Sequence, residues 1–242
     1  MQELCFAQSA AAQMEQLVTD LRRMYQERND ALQEVARAHH EALLRLSIAA
    51  DFKDDDTGVH IVRIAYLAQA LALALGERPA WAKLLRQAAP MHDIGKIGIP
   101  DSVLKKPGAL TPDERLVMKG HPAIGAEILG RSRIPLFQLA AEVSMTHHER
   151  WDGSGYPAGL AGEAIPLSGR IVAVVDFFDA LTMDRVYRKA FPDAVALEML
   201  RAERGRAFDP RLVDAFLAKA DAMIGLRERV NRQRPSFADL MD

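Results

Sequence analysis

The first 48 residues of this 242-residue chain contain neither glycine nor proline and are rich in Ala, Leu, Gln, Glu and Arg. Such a segment predicts one long helix. Its apolar residues fall at heptad spacings: Met14, Leu17, Leu21, Met24, Ala31, Val35, Ala38 and Ala42. This weak heptad favours a two-stranded coiled coil, which would form a homodimer or connect an upstream receiver or sensor domain to the rest of the chain. The alternative is an amphipathic helix that packs on its own domain.

The residues from about 49 onward also have helical periodicity. The spacing of apolar residues predicts helices at 59–75, 80–94, 135–149, 170–182, 192–203 and 210–229. Two further helices are expected after Thr111, which is followed by Pro112 and Glu114 in the pattern of a capped helix start. The stretch GRIVAVVDFFDAL is rich in β-branched residues, but its length and its helical neighbours favour a helix. No hairpin signal is found. The predicted fold class is all-α, with a helix at 1–48 and one domain at 49–242.

Composition and charge exclude several classes of protein. A net charge of −2 implies no bulk attraction to nucleic acid or to an anionic membrane surface. The single cysteine, Cys5, excludes a disulfide framework and indicates a reducing, cytoplasmic setting. The start of the chain lacks the basic and apolar regions of a secretory signal. The most apolar long stretch contains Arg63 and is shorter than the roughly 20 apolar residues that span a membrane, so it predicts a buried helix.

Two irregular stretches interrupt the helices, at 95–110 and at 151–169. The second is rich in glycine and contains Gly155, Tyr156 and Pro157. Loops of this length are uncommon inside a compact domain and are usually functional or disordered. Aromatic and aliphatic residues in the second loop argue against disorder, so we expect it to form part of a site.

Five histidines lie beside acidic residues or glycine-rich loops: His60, His92, His121, His147 and His148. Asp56 and His60 are four residues apart, which places both on one face of a helix. His92 is followed by Asp93 near the predicted end of a helix, where both side chains can face one site. Asp176 lies inside an apolar run. A buried carboxylate rarely lacks a partner, which would be a metal ion or, as the alternative, a buried arginine.

These residue types are typical of a metal centre. Imidazoles and carboxylates together suit zinc, manganese or iron, and the lack of cysteine ligands argues against a closed structural zinc site. Five histidines with two or three acids exceed what one metal ion needs. They predict two or three divalent metal ions that share a carboxylate. Such centres cleave phosphoesters by activating water and stabilising the attacking and leaving oxygens.

Six segments match, in the same order, the motifs of one family: HDIGKIGIPD, KPGALTPDE, MKGHPAIG, HHERWDGSGYPAGLAGEAIPLSGRI, DALTMDRVYRKA and FDP. On these motifs the chain closely resembles the HD-GYP family of bacterial cyclic di-GMP phosphodiesterases, a branch of the HD-domain metal-dependent phosphohydrolases. The resemblance covers roughly residues 50–220 and leaves the N-terminal helix outside it. It implies an all-α HD-domain helical bundle that hydrolyses cyclic di-GMP to linear pGpG, to GMP, or to both.

The resemblance also implies a role for each matching residue. The family's metal ligands correspond to His60, His92, Asp93, His121, His147, His148 and Asp176. Asp93 would bridge two metal ions, which the family resemblance implies are iron or manganese. Asp56 lies where some members place a glutamate that completes a third metal position. Because aspartate is one methylene shorter, the resemblance is compatible with either two metal ions or three.

The resemblance implies substrate contacts as well. Lys96 corresponds to a lysine held close to the scissile phosphate, and Gly155 and Tyr156 belong to the motif that gives the family its name. Arg185 and Arg188 correspond to a basic pair that contacts the phosphates of the dinucleotide. On one continuous helix Arg185, nine residues after Asp176, would face away from the site. We therefore expect the helix to end near Asp184 and the chain to turn back.

This chain departs from the family pattern at two further positions, where Met183 replaces a serine and Val186 replaces a proline. We expect both changes to be tolerated, although Met183 can alter local packing. Two other functions are kept as alternatives. One is hydrolysis of a different nucleotide by an HD phosphohydrolase. The other is a catalytically weak sensor or adaptor that binds cyclic di-GMP or a partner protein.

Overall fold

A computed structural model describes residues 2–53, 59–130, 132–184, 189–233, 235 and 240. The helices are α1 (Gln2–Lys53), α2 (Val59–Ala74), α3 (Pro79–Ala88), α4 (Asp101–Leu104), α5 (Pro112–Met118), α6 (His121–Leu129), α7 (Pro135–Thr146), α8 (Leu167–Leu181), α9 (Asp193–Ala202), α10 (Pro210–Ala218) and α11 (Ala220–Gln233). Short 3-10 helices occupy Ala89–Met91, Ile94–Gly98 and Gly162–Ala164. The described residues contain isolated β-bridges but no strand, so the predicted all-α class is confirmed.

Most predicted helices are present. The first runs to Lys53, five residues beyond the predicted end at 48, and two others differ in where they end or divide. The stretch GRIVAVVDFFDAL lies in α8, so the choice of a helix over a strand is confirmed. The helix predicted at 80–94 ends at Ala88 and is followed by 3-10 turns, because Pro90 lacks the N–H that an α-helix needs. The helix predicted at 210–229 is two helices that divide at Lys219.

The N-terminus of α5 has the predicted cap. The Thr111 hydroxyl accepts a hydrogen bond from the Glu114 N–H, and the Glu114 carboxylate accepts one from the Thr111 N–H. Lys106 donates to the same carboxylate over 2.6 Å. These contacts satisfy backbone donors that a helix start leaves without partners, and they fix the loop that precedes α5.

The chain divides into two units, Met1–Ala42 and Leu43–Asp242. The first unit is the N-terminal part of α1. Several heptad residues in it are more than half exposed in the single chain: Met14, Leu17, Leu21, Met24 and Val35. The coiled coil stays a prediction. Among the described helices, none has the length and apolar character that crossing a membrane requires.

The second unit holds the main hydrophobic core. Helix α2 packs against α3, α8 and α11, and α7 packs against α3, α6 and α8. Leu67 and Leu71 of α2 are fully buried with Phe178 of α8 and Phe216 of α10, whose two rings lie 4.9 Å apart. Burial of these side chains holds α2, α7 and α8 together, and His60, His147 and Asp176 lie in or next to these three helices.

The C-terminal end of α1 belongs to the second unit and contacts a segment close to the candidate site. The Lys53 ammonium donates to the carbonyl oxygens of Ile97 and Ile99 over 3.2 and 2.7 Å. It also lies 3.2 Å from the Asp101 carboxylate. Lys53 therefore connects the end of α1 to the 3-10 helix Ile94–Gly98 and to the start of α4 through hydrogen bonds and an ion pair.

Candidate metal centre

Different elements bring seven of the predicted residues together. His60 lies in the first turn of α2, and Asp176 lies within α8. His92 and Asp93 connect two 3-10 helices, where Asp93 has φ −103° and ψ 9°. His121 opens α6, and His147 and His148 follow the end of α7 at Thr146. The helix predicted at 80–94 ends earlier, at Ala88, and His92 and Asp93 lie in the turn between two 3-10 helices.

Gly95 allows the segment after Asp93 to lie directly against α6. A Cβ atom at Gly95 would overlap the carbonyl oxygen of His121 and approach the Gly125 N–H nitrogen to 2.5 Å. Only glycine permits such contact between two backbones. The close approach holds Asp93 beside His121.

The seven side chains form two groups that could each hold a metal ion. Within each group the candidate ligand atoms lie within 4.8 Å of one another. The first group is Asp93, His121, His147 and His148, and the second is His60, His92 and Asp176. In the second group the Nε2 atoms of His60 and His92 lie 3.4 and 3.9 Å from Asp176 Oδ1.

Asp93 lies between the two groups. Its Oδ1 atom is 3.0 Å from His121 Nε2 and 3.4 Å from His147 Nε2. Its Oδ2 atom is 3.3 Å from His92 Nε2 and 2.9 Å from the Lys96 ammonium. One oxygen therefore faces each group, which is the arrangement that a bridging carboxylate requires.

Three imidazoles are oriented by backbone carbonyl groups. The Nδ1 atoms of His92, His121 and His147 lie 3.0, 2.9 and 2.8 Å from the carbonyl oxygens of Ala89, Met118 and Ser144. Because a carbonyl oxygen only accepts hydrogen bonds, Nδ1 carries the proton and Nε2 presents its lone pair to the site. Histidines that bind metal ions through Nε2 are commonly held in this way.

Two of the candidate ligand atoms have no hydrogen-bond partner among the described residues. His92 Nε2 and Asp93 Oδ1 are buried and have no hydrogen-bond partner. The Nε2 atoms of His121 and His147 are 3.4 Å apart, with lone pairs on both. Burying such atoms without a partner is costly, and a cation between them removes the cost. The centre therefore fits divalent metal ions bound by imidazole and carboxylate groups.

The pKa values of the candidate ligands differ between the two groups. Burial alone would raise the pKa of Asp93, but the Lys96 ammonium and His92 hold it well below the ordinary value. Burial would also raise the pKa of Asp176, whereas the hydrogen bond with His60 lowers it. Burial and the nearby His147 hold the pKa of His148 well below its ordinary value. Ionised carboxylates and neutral imidazoles are the forms that bind metal ions. In the second group burial opposes protonation, but the Asp176 and Asp179 carboxylates raise the pKa of His60 well above its ordinary value, and Asp93 raises that of His92. A metal ion in that group would therefore displace protons from these two imidazoles.

The glycine-rich loop places Tyr156 beside the first group. Its ring stacks on the His148 ring with centroids 4.8 Å apart, and the Lys119 ammonium lies 5.0 Å from the Tyr156 ring centroid. The Tyr156 N–H donates to the His148 carbonyl oxygen over 3.2 Å. A Cβ atom at Gly155 would overlap the backbone of Glu149 and Arg150, so glycine is required here for packing.

Glu149 fixes the same loop and was missed by sequence reasoning. Its side chain is buried, and its two carboxylate oxygens accept hydrogen bonds from the N–H groups of Ala158 and Leu160 over 2.7 and 3.0 Å. The signal available in the sequence was an acid directly after two histidines, at the start of a loop. Nothing in the spacing shows that this acid would turn back onto the backbone nine residues later.

Asp179 and Arg63 were also missed. The Asp179 carboxylate is fully buried and lies 2.7 Å from His60 Nδ1. Arg63 lies three residues after His60 and donates to both oxygens of Asp179. Arg63 was noted only as a charge that interrupts an apolar stretch, although a charge in that place needs a buried partner.

Three predicted site residues, Asp56, Arg185 and Arg188, lie outside the described residues. The helix before the arginine pair ends at Leu181, and the Ala190 N–H donates to Asp184 over 2.8 Å. The predicted helix end near Asp184 is therefore three residues too late. Met183, where the family pattern has serine, contacts the Arg63 guanidinium through its sulfur atom.

Comparison with known proteins gives a family and several relatives. The HD domain family model matches residues 12–212. The cyclic di-GMP phosphodiesterase response regulator RpfG of Xanthomonas campestris pv. campestris is 50% identical over 187 residues, which are 77% of this chain and 50% of that protein. A cyclic di-GMP phosphodiesterase of Thermotoga maritima is 46% identical over 177 residues, covering 73% of this chain and 48% of that protein.

A 3'3'-cGAMP-specific phosphodiesterase 2 of Vibrio cholerae is 43% identical over 187 residues, covering 77% of this chain and 36% of that protein. The chain thus spans half or less of the length of these relatives. Among solved structures, a cyclic GMP-AMP-specific phosphodiesterase of V. cholerae, V-cGAP3, superimposes with a TM-score of 0.58 at 21% identity, covering 84% of this chain and 53% of that one. This similarity supports the fold.

Proposed function

The chain belongs to the HD domain family, and on that premise we propose that it is a metal-dependent phosphodiesterase that hydrolyses cyclic di-GMP. The observation that carries the proposal is the convergence of two groups of metal-binding side chains on Asp93, with Tyr156 of the glycine-rich loop beside them. Several relatives at 45–50% identity are named cyclic di-GMP phosphodiesterases, which supports this choice of substrate.

We propose two metal ions, iron or manganese, one in each group, with Asp93 shared between them. Imidazole and carboxylate donors suit both metals. When bound, such ions supply an activated water molecule and neutralise charge on the phosphoryl group. A third metal position would involve Asp56, which lies outside the described residues.

The remaining side chains would hold the substrate. The Lys96 ammonium lies 2.9 Å from Asp93, where it can also reach a phosphate oxygen above the centre. Tyr156 would donate a hydrogen bond from its neutral hydroxyl, since burial raises the pKa of that group. Arg185 and Arg188 would bind the phosphate charge that faces away from the metal ions. The end of α8 at Leu181 supports their role, because residues 182–184 do not continue the helix that carries Asp176.

A turnover assay on anaerobically purified protein tests this function. We expect protein loaded with iron or manganese to convert cyclic di-GMP to pGpG or GMP. His92→Ala and Asp93→Ala should lose both bound metal and activity, because each removes a ligand atom that faces the shared position. Absence of hydrolysis with either metal, in a sample carrying two metal ions per chain, would contradict the proposal.

A second substrate has support from relatives that are named for 3'3'-cGAMP. The V. cholerae protein at 43% identity is named for 3'3'-cGAMP, which differs from cyclic di-GMP in one base. The assay should therefore compare kcat/KM for the two dinucleotides. We expect cyclic di-GMP to be preferred, and a preference for 3'3'-cGAMP would assign this chain to the other substrate. A catalytically weak sensor would bind a dinucleotide without turnover, so a binding assay run beside the turnover assay separates that alternative.

We also propose that residues 1–48 form a homodimer or connect an upstream receiver or sensor domain to the catalytic residues at 49–242. The exposed heptad residues of α1 support the dimer. The length of the relatives supports a further domain, since the chain spans only about half of RpfG. The single cysteine is consistent with a cytoplasmic location.

A further inference from the structure

We propose that Asp179, held by Arg63, is the positioning residue that orients the His60 imidazole toward the second metal group. This inference rests on the proposed metal centre and adds two residues to it. Asp179 and Arg63 would not touch a metal ion or the substrate. They would act through His60.

The contacts form a closed chain of short hydrogen bonds. His60 Nδ1 lies 2.7 Å from Asp179 Oδ2. The Arg63 guanidinium donates from Nε to Oδ1 over 2.6 Å and from a terminal nitrogen to Oδ2 over 2.9 Å. All three side chains are buried, and Asp179 is completely so. A two-pronged pairing of this kind fixes the carboxylate plane as well as its position.

His60 differs from three other histidines of the centre in the partner of its Nδ1 atom. His92, His121 and His147 each place Nδ1 on the carbonyl group three residues earlier in the chain. His60 is the second residue of α2. Its Nδ1 partner is the Asp179 carboxylate instead of a backbone carbonyl oxygen. With Nδ1 bound in this way, Nε2 faces Asp176 over 3.4 Å.

The register of two helices produces the arrangement. His60 and Arg63 are three residues apart on α2, and Asp176 and Asp179 are three residues apart on α8. Residues at this spacing share a helix face, so one face of α2 meets one face of α8. Asp176 faces Nε2 of His60. Asp179 contacts Nδ1 of His60 and the guanidinium of Arg63.

Arg63 also connects the centre to the C-terminal helix. A terminal nitrogen of its guanidinium donates to the Asn231 side-chain oxygen of α11 over 2.9 Å. Without Arg63, the Asp179 carboxylate would be a buried charge with His60 as its remaining partner among the contacts described. Because such a charge is costly to bury, the ion pair with Arg63 stabilises the carboxylate of Asp179 in the protein interior.

The test is the affinity of the full chain for Mn²⁺, measured by calorimetry and by electron paramagnetic resonance. Asp179→Asn keeps the shape of the side chain but removes its charge. We expect one of two sites to bind about 10- to 100-fold more weakly, the usual effect of losing a residue that orients a metal-binding histidine. The site formed by Asp93, His121, His147 and His148 should be unchanged. Co²⁺ should show an altered absorption spectrum for the weakened site.

Asp209→Asn is the matched control. Asp209 is also buried and pairs with Arg170 over 2.7 Å, but the centre does not include it. The same chemical change there should leave both Mn²⁺ affinities unchanged. If Asp179→Asn does not fold, Arg63→Lys decides the question, because lysine keeps the charge and loses the two-pronged geometry.

The outcomes separate this inference from the proposed function. The positioning role alone is overturned if wild-type protein binds two Mn²⁺ ions and a folded Asp179→Asn variant binds both with the same affinities. An unfolded Asp179→Asn variant together with unchanged affinity in Arg63→Lys overturns it as well. Wild-type protein that binds no Mn²⁺ overturns the metal centre itself.

Discussion

Tyr156 is half-buried beside the centre, and this burial raises the pKa of its hydroxyl group above the ordinary value. The nearby carboxylates of Asp93 and Asp176 act in the same direction, and Lys96 opposes them. The unfolded chain therefore ionises this tyrosine first as the pH rises. The stability that the neutral hydroxyl provides is complete below about pH 10 and is lost as the pH rises further toward the folded-state pKa.

We expect Tyr156→Phe, in metal-free protein, to lose less free energy of unfolding than wild type between about pH 9 and pH 11. Chemical denaturation at several pH values measures this difference. The other tyrosines are common to both proteins, so their ionisation cancels in the comparison. Equal losses in the two proteins would show that the Tyr156 pKa is not raised by folding.

At this scale, sequence reasoning found the residues that face the centre and missed those that hold them. His92 and Asp93 alone are a weak signal, since an ordinary helix end has the same pattern, and they are identifiable through the other histidines and the motifs that accompany them. Asp179 and Arg63 are 116 residues apart in the chain, and their ion pair exists only because α2 and α8 pack together. No local pattern shows which acid meets which arginine.

The loop at 151–169 depends on Glu149, which holds two of its N–H groups. Glu149→Gln would turn an amide nitrogen toward one of these donors and leave it without an acceptor. Such a loss costs about 1–3 kcal/mol. We expect the affinity for cyclic di-GMP to fall roughly tenfold, because Tyr156 is no longer held on His148, while metal content stays the same.

Titration calorimetry with the dinucleotide and metal analysis measure the two quantities. Glu142→Gln is the control, since Glu142 lies on α7 and accepts a hydrogen bond from the Ser168 hydroxyl in the first turn of α8, beyond the two N–H groups that Glu149 holds. Loss of metal from Glu149→Gln would mean that the residue supports the centre and not the loop.

The end of α1 is fastened by Lys53 to two carbonyl groups of the segment after Asp93. Lys53→Met removes these contacts, and hydrogen bonds from a charged group are worth about 1.5–3 kcal/mol each at most. We expect the free energy of unfolding to fall by about 1 kcal/mol or more, and amide exchange at 96–101 to become faster. Lys105→Met is the control, because Lys105 pairs with Asp101 over 3.7 Å on an exposed surface where ion pairs contribute little. Equal free energies of unfolding and equal amide exchange rates in the two variants would exclude a role for Lys53 in holding residues 96–101.

The spacing of apolar residues predicted the positions of most helices. The error in the end of the helix predicted at 80–94 has a cause that is visible in the sequence. Pro90 lies inside the helix predicted at 80–94, and proline breaks an α-helix. The resulting 3-10 turns bring His92 and Asp93 to face the centre together. The division of the last predicted helix at Lys219 has no such signal in the sequence.

The exposed heptad residues of the first unit predict that whole molecules associate. We expect a homodimer in analytical ultracentrifugation at micromolar concentration. Leu17→Glu together with Leu21→Glu should weaken the dimer about tenfold or more, because each places a charge in an apolar seam. Thr19→Glu adds a charge on another face of the same helix and should leave the dimer intact. A wild-type chain that sediments as a monomer would contradict the coiled coil.

For the whole molecule, the all-α class and the identity of the seven converging residues could be predicted from the sequence, since helical periodicity and motif order are local properties. The division of these residues into two groups could not, because it depends on how α2, α6, α7 and α8 pack around the His92–Asp93 turn. The proposed two-metal chemistry depends on that division.

Anomalous X-ray diffraction from crystals loaded with manganese or iron tests the two-metal centre most directly. A two-metal centre predicts one peak among Asp93, His121, His147 and His148, a second among His60, His92 and Asp176, and the Asp93 carboxylate between them. Metal ions in such centres are about 3.5–4 Å apart. A single peak, or two peaks that Asp93 does not connect, would contradict a two-metal centre in this chain.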